Sequence, residues 1–170
     1  MKKLIYLFLA VLIVACSGDD GNNNNQSSCP IYLDSNGITI KACEDASVGD
    51  TGVVNGVTYT VVNRDMLFEM IANNEDVSKV ATTKVTNMAN LFYNNSSFNQ
   101  PIGNWDVSNV TSMNGLFAGA TSFNQPIGDW YTRSCVNFGG MFYEATSFNQ
   151  PLPGYWLEKP LISGSDASDV

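Results

Sequence analysis

A chain of 170 residues with 44% hydrophobic residues is long enough for one modest domain with tails, and its composition allows a buried core. The formal net charge of −8 disfavours nucleic acid and anionic membrane surfaces as partners. Histidine is absent, which removes the most common general base and the most common metal ligand. Most hydrolytic triads and most zinc sites are thereby excluded.

The first 15 residues have the pattern of a secretory signal peptide. Lys2 and Lys3 precede an apolar run, residues 4–15, which is shorter than the roughly 20 residues of a membrane-spanning helix. A charged start followed by a short apolar run is typical of a segment that is cleaved after export. Residues 1–15 are therefore predicted to be a signal peptide.

The apolar run ends in LIVAC, residues 12–16, which resembles the end of a bacterial lipoprotein signal, with Leu12 one position from the most common spacing. In such proteins the cysteine becomes the lipidated first residue of the mature chain. The resemblance implies lipid attachment at Cys16 and a protein held in the outer membrane by acyl chains. The alternative is an ordinary signal peptide that happens to end beside a cysteine.

The segment SGDDGNNNNQSS follows Cys16 and contains no apolar residue. Such a segment has nothing to bury, so residues 16–28 are predicted to be a flexible tether. Asp19 and Asp20 resemble the acidic pair that marks lipoproteins for export to the cell surface. The resemblance implies a surface-exposed protein, and the alternative is that the two carboxylates only solvate the tether.

Residues 29–83 are predicted to form an N-terminal cap of hairpins and one helix. Turn residues at 35–37 and the pair Asn55-Gly56 each stand between β-branched runs, which indicates two β-hairpins. The spacing of Met66, Leu67, Met70 and Ile71 then predicts a helix. Asn63 is its expected N-cap. A stack of repeats needs such a cover over its first unit.

Cysteine positions allow one disulfide in this cap. A three-residue loop at 35–37 would place Cys29 opposite Cys43 on neighbouring strands, and a disulfide is plausible outside the cytoplasm. A two-residue loop would shift the register and separate the pair. Cys135 occupies the position of a valine in the other repeats and is read as a buried small apolar residue.

One phrase recurs every 25 residues in the second half of the chain. SFNQPIGNW occupies residues 97–105, SFNQPIGDW residues 122–130, and SFNQPL residues 147–152. A fixed period of this length is typical of proteins built from stacked repeats. Residues 84–156 are therefore predicted to be a repeat array of about three coils, and residues 157–170 a C-terminal tail.

Apolar residues within each repeat predict the structure of a coil. Met88, Leu91 and Phe92 lie at helical spacing, and the same spacing recurs, so short helices are expected near 88–94, 113–119 and 138–144. Short extended segments should follow each helix, which makes the fold an α/β solenoid. The predicted repeat core consists of Phe92, Phe98, Ile102, Phe117, Phe123, Ile127, Phe142, Phe148 and Leu152. The Asn-Gln pairs at 99–100, 124–125 and 149–150 form either an amide ladder or a ligand-reading surface.

The pattern VTxMxxLFxxAxSFNQPIxxWDVSNVT, over about residues 77–152, resembles the BspA-like surface-protein repeats. These are a divergent group of leucine-rich repeats common in bacterial surface lipoproteins. The resemblance implies a leucine-rich-repeat-like solenoid, an extracellular location, and adhesion or protein binding without catalysis. The third repeat departs from the pattern because it lacks the valine at 135 and the methionine at 138.

Function is predicted to be non-catalytic, with no cofactor and no metal. Asp106 and Asp129 have no second carboxylate placed to pair with them for glycoside hydrolysis, and their spacing fits no EF-hand loop for calcium. The expected partner is an extracellular protein, and oligomeric state stays open. One alternative is a glycan bound on an exposed aromatic strip of Trp105, Trp130 and Trp156, unless these rings are core. Another is a scaffold that faces the periplasm.

Overall fold

The computed structural model describes residues 30–156, with the side chain of Tyr155 left aside. The predicted signal peptide, Cys16, the tether, Cys29 and the tail therefore lie outside the described residues. The elements are β1 (Ile31–Leu33), β2 (Ile40–Ala42), β3 (Thr51–Val54), β4 (Val57–Val61), α1 (Arg64–Ala72), β5 (Val80–Ala81) and a 3-10 turn (Gly154–Trp156). Strands β1 and β2 form one antiparallel sheet. In the other sheet, β4 pairs antiparallel with β3 and parallel with β5.

The loop between β3 and β4 confirms the hairpin predicted from Asn55-Gly56. Val54 pairs with Val57, so Asn55 and Gly56 alone make the turn. Their φ angles are 50° and 79°, in the left-handed region that a two-residue hairpin turn requires. Asparagine and glycine tolerate this region better than other residues, so a local pair of residues determines the register of the hairpin.

The hairpin of β1 and β2 forms, but its predicted three-residue loop is wrong. Ile31 pairs with Ala42, so the residue opposite Cys43 is Pro30, and the Cys43 amide donates to the Pro30 carbonyl at 2.9 Å. The turn is longer because the Asn36 side chain accepts hydrogen bonds from the amides of residues 38 and 39. Because Cys29 lies outside the described residues, the disulfide with Cys43 stays a prediction.

Helix α1 confirms the helix predicted from apolar spacing. The Asn63 side chain accepts a hydrogen bond from the Met66 amide at 2.9 Å, which satisfies one of the free donors at the helix start. Leu67 and Ile71 are buried and belong to the same core cluster as the repeats. A separate, smaller core lies among the strands and consists of Ile31, Ile40, Ala42, Ala46, Val61 and Ala81. No helix within residues 30–156 is long and apolar enough to cross a membrane.

The predicted α/β solenoid is wrong. Within residues 30–156 the single α-helix is α1, which precedes the repeats, and residues 88–94, 113–119 and 138–144 form turns instead of helices. No sheet runs through the repeats. Single-residue parallel bridges, Asn87 to Ser112 and Ser112 to Asn137, are the β-type contacts between them. The described fold is a pair of small sheets, one helix and a stack of turn-rich repeat units.

Left-handed residues are the physical reason why the repeats form turns. Asn90 and Asn94 in the first repeat have φ near 58°, and Gly115, Gly119, Gly140 and Glu144 take the same place in the others. A left-handed residue interrupts a right-handed helix. The amides freed in this way bond between units, as when Phe92 donates to the Leu116 carbonyl at 3.0 Å. The apolar side chains at this spacing therefore face one core because turns, and not a helix, bring them to the same side.

Identical side chains stack in register from unit to unit. Ring centroids are 5.4 Å apart between Phe92 and Phe117 and 5.7 Å between Phe117 and Phe142. A second column has Phe98 and Phe123 at 5.9 Å. Of the predicted core residues, Phe92, Phe98, Ile102, Phe117, Phe123 and Ile127 are buried, and Phe142, Phe148 and Leu152 are half-buried against the same cluster. The third unit is less covered because no fourth unit follows it within the described residues.

Residues 75–77 cover the first repeat and make hydrogen bonds to it like those that a preceding repeat would make. The Gln100 side chain donates to the Glu75 carbonyl at 2.9 Å and accepts from the Val77 amide at 2.8 Å. The Gln125 side chain makes an analogous bond to the Asn99 carbonyl at 2.9 Å. The N-terminal region thus supplies the hydrogen-bond partners that an earlier repeat would provide.

Replacing Gly103 with alanine is expected to destabilise the fold by about 1–3 kcal/mol, because overpacking forces backbone shifts. A Cβ atom at position 103 would lie 2.6 Å from the Pro126 carbonyl oxygen of the next unit. Urea unfolding would measure the loss, with Gly154→Ala as the matched control because a Cβ there meets nothing within 4 Å. Equal stability of the two variants would show that the repeat spacing is not set by this contact.

Candidate functional site

The three tryptophans that could have formed an exposed strip are buried. Trp105 and Trp130 are 1% exposed and Trp156 is 4% exposed. Their rings stack in a column, at 6.3 Å between the first two and 6.5 Å between the last two. The exposed aromatic strip for glycans is therefore absent, since each ring is enclosed by the neighbouring units.

Indole nitrogens fix this column to the backbone. Trp105 Nε1 donates to the Val77 carbonyl at 3.0 Å, and Trp130 Nε1 donates to the Ile102 carbonyl at 3.1 Å. Trp156 Nε1 is buried and has no acceptor among residues 30–156. Trp105 and Trp130 each bond a carbonyl 28 residues earlier in the chain. The repeat phrase is altered before Trp156, so this separation is not reproduced there.

The asparagine and glutamine columns form an amide ladder. Asn99 Oδ1 accepts from the Asn124 amide and from Gln125 Nε2, both at 2.9 Å. Asn124 Oδ1 accepts in the same way from the Asn149 amide and from Gln150 Nε2, both at 2.9 Å. These side chains close the bend of one unit on the next, so their recurrence has a structural cause.

Asp106 has a structural position as well. It is 3% exposed, and its carboxylate accepts from the Thr83 hydroxyl at 2.8 Å and from the Ser108 hydroxyl at 2.7 Å. Asp129, the other repeat-related acid, is exposed. No group of three or more acidic or cysteine side chains that could hold a metal ion occurs in the described part of the chain.

An open groove lies between the N-terminal strands and the proline loops of the first two repeats, and is called here the hairpin–repeat groove. Its volume is about 470 Å³, within the range typical of ligand sites. Neither half of the chain forms it alone. The residues that line it are Ile38, Val57, Tyr59, Ser78, Lys79, Pro101, Gly103, Asn104, Gln125, Pro126 and Asp129.

Hydrogen bonds around the groove hold its lining in place. The Ile40 amide donates to the Asn104 carbonyl at 2.8 Å, and Ile40 forms a parallel bridge with Trp105. Asn104 Nδ2 donates to the Ser78 carbonyl at 3.2 Å. The first bond joins β2 to the first repeat, and the second joins two lining residues of the groove, so both help to fix its shape.

Apolar surface and one unused acceptor give the groove its chemistry. Ile38 is 41% exposed and Val57 is 36% exposed, beside the exposed prolines at 101 and 126. Asn104 Oδ1 is buried and has no hydrogen-bond donor among the described residues. A buried acceptor without a partner is costly. A ligand N–H or O–H group that reached this atom through a small opening of the lining would relieve that cost.

Part of the chain matches a protein-family model. The model described as "Mycoplasma protein of unknown function, DUF285" matches residues 63–163, which is more than half of the 170 residues. The chain belongs to the DUF285 family. No curated protein and no solved structure matches the chain.

The DUF285 region supplies only one side of the groove. It begins at Asn63, so it includes α1, β5 and the repeats, whereas β1 to β4 precede it. Ile38, Val57 and Tyr59 come from that preceding part. Sequence reasoning did not identify the groove because its sides are far apart in the chain. The local sequence signals for the groove were an isoleucine between β1 and β2 and a valine at the start of β4. Their exposure is visible only in the structure.

One ion pair lies at the rim of the groove, at the start of the DUF285 repeats. Asp76 Oδ2 is 2.9 Å from Lys79 Nζ, and Asp76 Oδ1 accepts from the Ser78 amide at 3.0 Å and from its hydroxyl. Hydrogen bonds from the Ser78 hydroxyl and then from Lys79 lower the pKa of Asp76 from 3.8 to about 2. The same carboxylate raises the pKa of Lys79. The pair is exposed, so salt screens it.

Acid should weaken this part of the fold. Because the folded-state pKa of Asp76 lies below 3.8, its contribution to stability is present above pH 3.8 and is lost as the pH falls towards 2. An NMR titration of the Asp76 carboxyl carbon should give a midpoint near 2. Ser78→Ala should raise the midpoint more than Lys79→Ala, because Ser78 is the larger cause. A midpoint of 3.8 in the native protein would contradict the assignment.

Proposed function

We propose that this DUF285 chain is a non-catalytic binding protein whose hairpin–repeat groove receives an extended segment of another protein. The observation that carries this proposal is the combination of exposed apolar side chains with the unused acceptor Asn104 Oδ1. A peptide brings both apolar side chains and N–H donors, so it satisfies both features at once.

The proposal extends to location. The signal-like residues 1–15, the lipobox-like segment before Cys16 and the resemblance of the repeats to BspA-like surface proteins support a lipoprotein of the outer membrane that faces outwards. Under this proposal, the tether at 16–28 separates the folded part from the membrane. Asp19 and Asp20 support export to the surface by the same resemblance.

A site-specific photo-crosslink tests the groove. A photoreactive phenylalanine analogue at position 57 should give an adduct of discrete mass on intact cells, identified by mass spectrometry. Position 53 is the matched control, because Val53 is 60% exposed on the adjacent strand and does not line the groove. No adduct at 57, or the same adduct from both positions, would reject the groove as a protein-binding site.

Asn104→Leu tests the acceptor. The variant keeps a side chain of similar size and removes Oδ1 together with the Nδ2 bond to Ser78, so the position-57 adduct should fall by roughly fivefold or more, the loss of one good hydrogen bond. Asn104→Asp is the control, because it also lacks the Nδ2 donor but keeps an acceptor oxygen and should retain the adduct. Circular dichroism would show whether the variant stays folded. Adduct formation that is unchanged in a folded variant would show that the partner does not use this acceptor.

Location has its own experiment. An added protease should digest the wild-type protein on intact cells, and Cys16→Ala should be released from the membrane fraction. If digestion requires opening of the outer membrane, the protein faces the periplasm, and a periplasmic scaffold replaces the surface-binding proposal.

A further inference from the structure

One strip of the stack consists of residues 88–94, 112–119 and 137–143. Within this strip, every backbone hydrogen bond between units runs from an amide of one unit to a carbonyl of the following unit. In the first unit the amides of residues 88, 90, 92 and 94 donate to the carbonyls of residues 112, 114, 116 and 118, at 2.7–3.0 Å. In the second unit the amides of 113, 115, 117 and 119 donate to the carbonyls of 137, 139, 141 and 143, at 2.7–2.9 Å. The strip therefore has a donor side and an acceptor side, unlike a β-strand edge, where donors and acceptors alternate.

The third unit ends the described stack with donors. The amides of Gly140, Phe142 and Glu144, called here the donor edge, have no acceptor among residues 30–156. They correspond to amides 115, 117 and 119, which are all bonded in the second unit. Gly140 and Glu144 hold the left-handed φ angles that orient these groups. Beside them Phe142 is half-buried, and among the described residues it is the last ring of the column that begins with Phe92 and Phe117.

We infer that the donor edge binds a repeat-type segment of a partner protein, which presents main-chain carbonyls at every second residue and an aromatic side chain over Phe142. The stack itself shows the geometry of such a segment, because each repeat offers the preceding one this combination. Phe117 lies over Phe92 at 5.4 Å where the carbonyls of the second unit meet the amides of the first. This site is separate from the hairpin–repeat groove, and the inference does not depend on it.

A second copy of this chain does not fit the donor edge. Two donor edges placed face to face would oppose N–H groups to N–H groups. The acceptor side of the stack belongs to the first repeat, where Arg64 of α1 donates to the Ala89 carbonyl at 3.0 Å and Leu67 and Ile71 pack into the core. Because α1 covers that side, a head-to-tail contact between copies is blocked.

Neutral carbonyls fit this edge better than an anion does. Rows of N–H groups attract negative charge. However, Glu144 places an exposed carboxylate within the row itself, and the chain carries a net charge of −8. Carbonyl dipoles satisfy the donors without this repulsion. The half-buried Phe142 adds an apolar contact that a small anion would not use.

Amide hydrogen exchange measured by NMR on the full chain tests the inference. The amides of 115, 117 and 119 are internal references, because their equivalents in the third unit form the donor edge. We expect the donor-edge amides to exchange at least about tenfold faster than these references, as unpaired groups do. The probe is a synthetic peptide with the sequence of residues 109–121, which carries the acceptor carbonyls and Phe117. The control peptide has the same residues in scrambled order.

The probe in excess should slow exchange of the donor-edge amides by about threefold or more, since pairing protects in proportion to occupancy. The scrambled peptide should leave the rates unchanged. Two results would overturn the inference. One is a donor edge that is already as protected as the references without the probe, which would show that the chain covers it itself. The other is equal slowing, or none, with both peptides.

Discussion

Phe117→Ala should lower the free energy of unfolding by about 3–5 kcal/mol, the range for removing a buried phenylalanine side chain. Phe117 is fully buried in the middle unit. Its ring lies 3.8 Å from Phe123, 5.4 Å from Phe92 and 5.7 Å from Phe142, measured between centroids. One substitution therefore removes contacts to all three units, and the cavity has rigid aromatic walls that cannot collapse into it.

Urea unfolding followed by tryptophan fluorescence would measure this loss, because Trp130 packs 6.3 Å from Phe117. Tyr93→Ala is the matched control, since Tyr93 belongs to the same stack but is 59% exposed. That control should change stability by less than about 0.5 kcal/mol, as surface substitutions do. A loss below about 1 kcal/mol for Phe117→Ala would mean that the aromatic column does not hold the units together.

Local residue chemistry explains which elements could be predicted from the sequence. The pair Asn55-Gly56 produces its hairpin and Asn63 caps the start of α1. Each effect acts over only a few residues, so it can be predicted locally. The 25-residue period predicted which side chains share a core, since equal positions in stacked units must meet. These inferences depend on spacing alone and need no knowledge of the backbone path.

The conformation of each unit could not be obtained from apolar spacing. Residues at i, i+3 and i+4 face one side in a helix, but turns with left-handed residues also bring them to one side. Asn90, Gly115 and Gly140 stand at equal repeat positions and carried the information, because asparagine and glycine are the residues that favour positive φ. Bonds between units then replace the bonds that a helix would make within itself.

Long-range geometry explains the other differences. The Asn36 side chain lengthens the first hairpin, and sequence patterns do not show such a bond. The hairpin–repeat groove joins Ile38 and Val57 to Asn104, which is 47 or more positions away in the chain. The 25-residue period alone does not determine whether Trp105 is exposed or buried. Its burial follows from the packing of the stacked units.

Asp106→Ala should cost about 2–4 kcal/mol, because it leaves partly buried donors without their charged acceptor. The carboxylate joins Thr83, just before the first repeat, to Ser108, just before the second. Its Ser108 contacts repeat those that Asp76 makes with Ser78, but Asp106 is 3% exposed whereas the Asp76 side chain is 51% exposed. Because Asp106 is buried, we expect the same local motif to contribute far more to stability there than at Asp76.

A double-mutant cycle with Thr83→Val separates this bond from the local turn. Asp106 and Thr83 should show a coupling energy of about 1 kcal/mol or more, the scale for residues in one hydrogen-bond network. Asp129→Ala is the control, since this exposed aspartate forms no such bond within the described residues, and it should change stability little. Zero coupling together with a large loss for Asp106→Ala would assign the effect to the turn at Ser108. Strong coupling would show that Asp106 links the N-terminal region to the repeats, so that both unfold together.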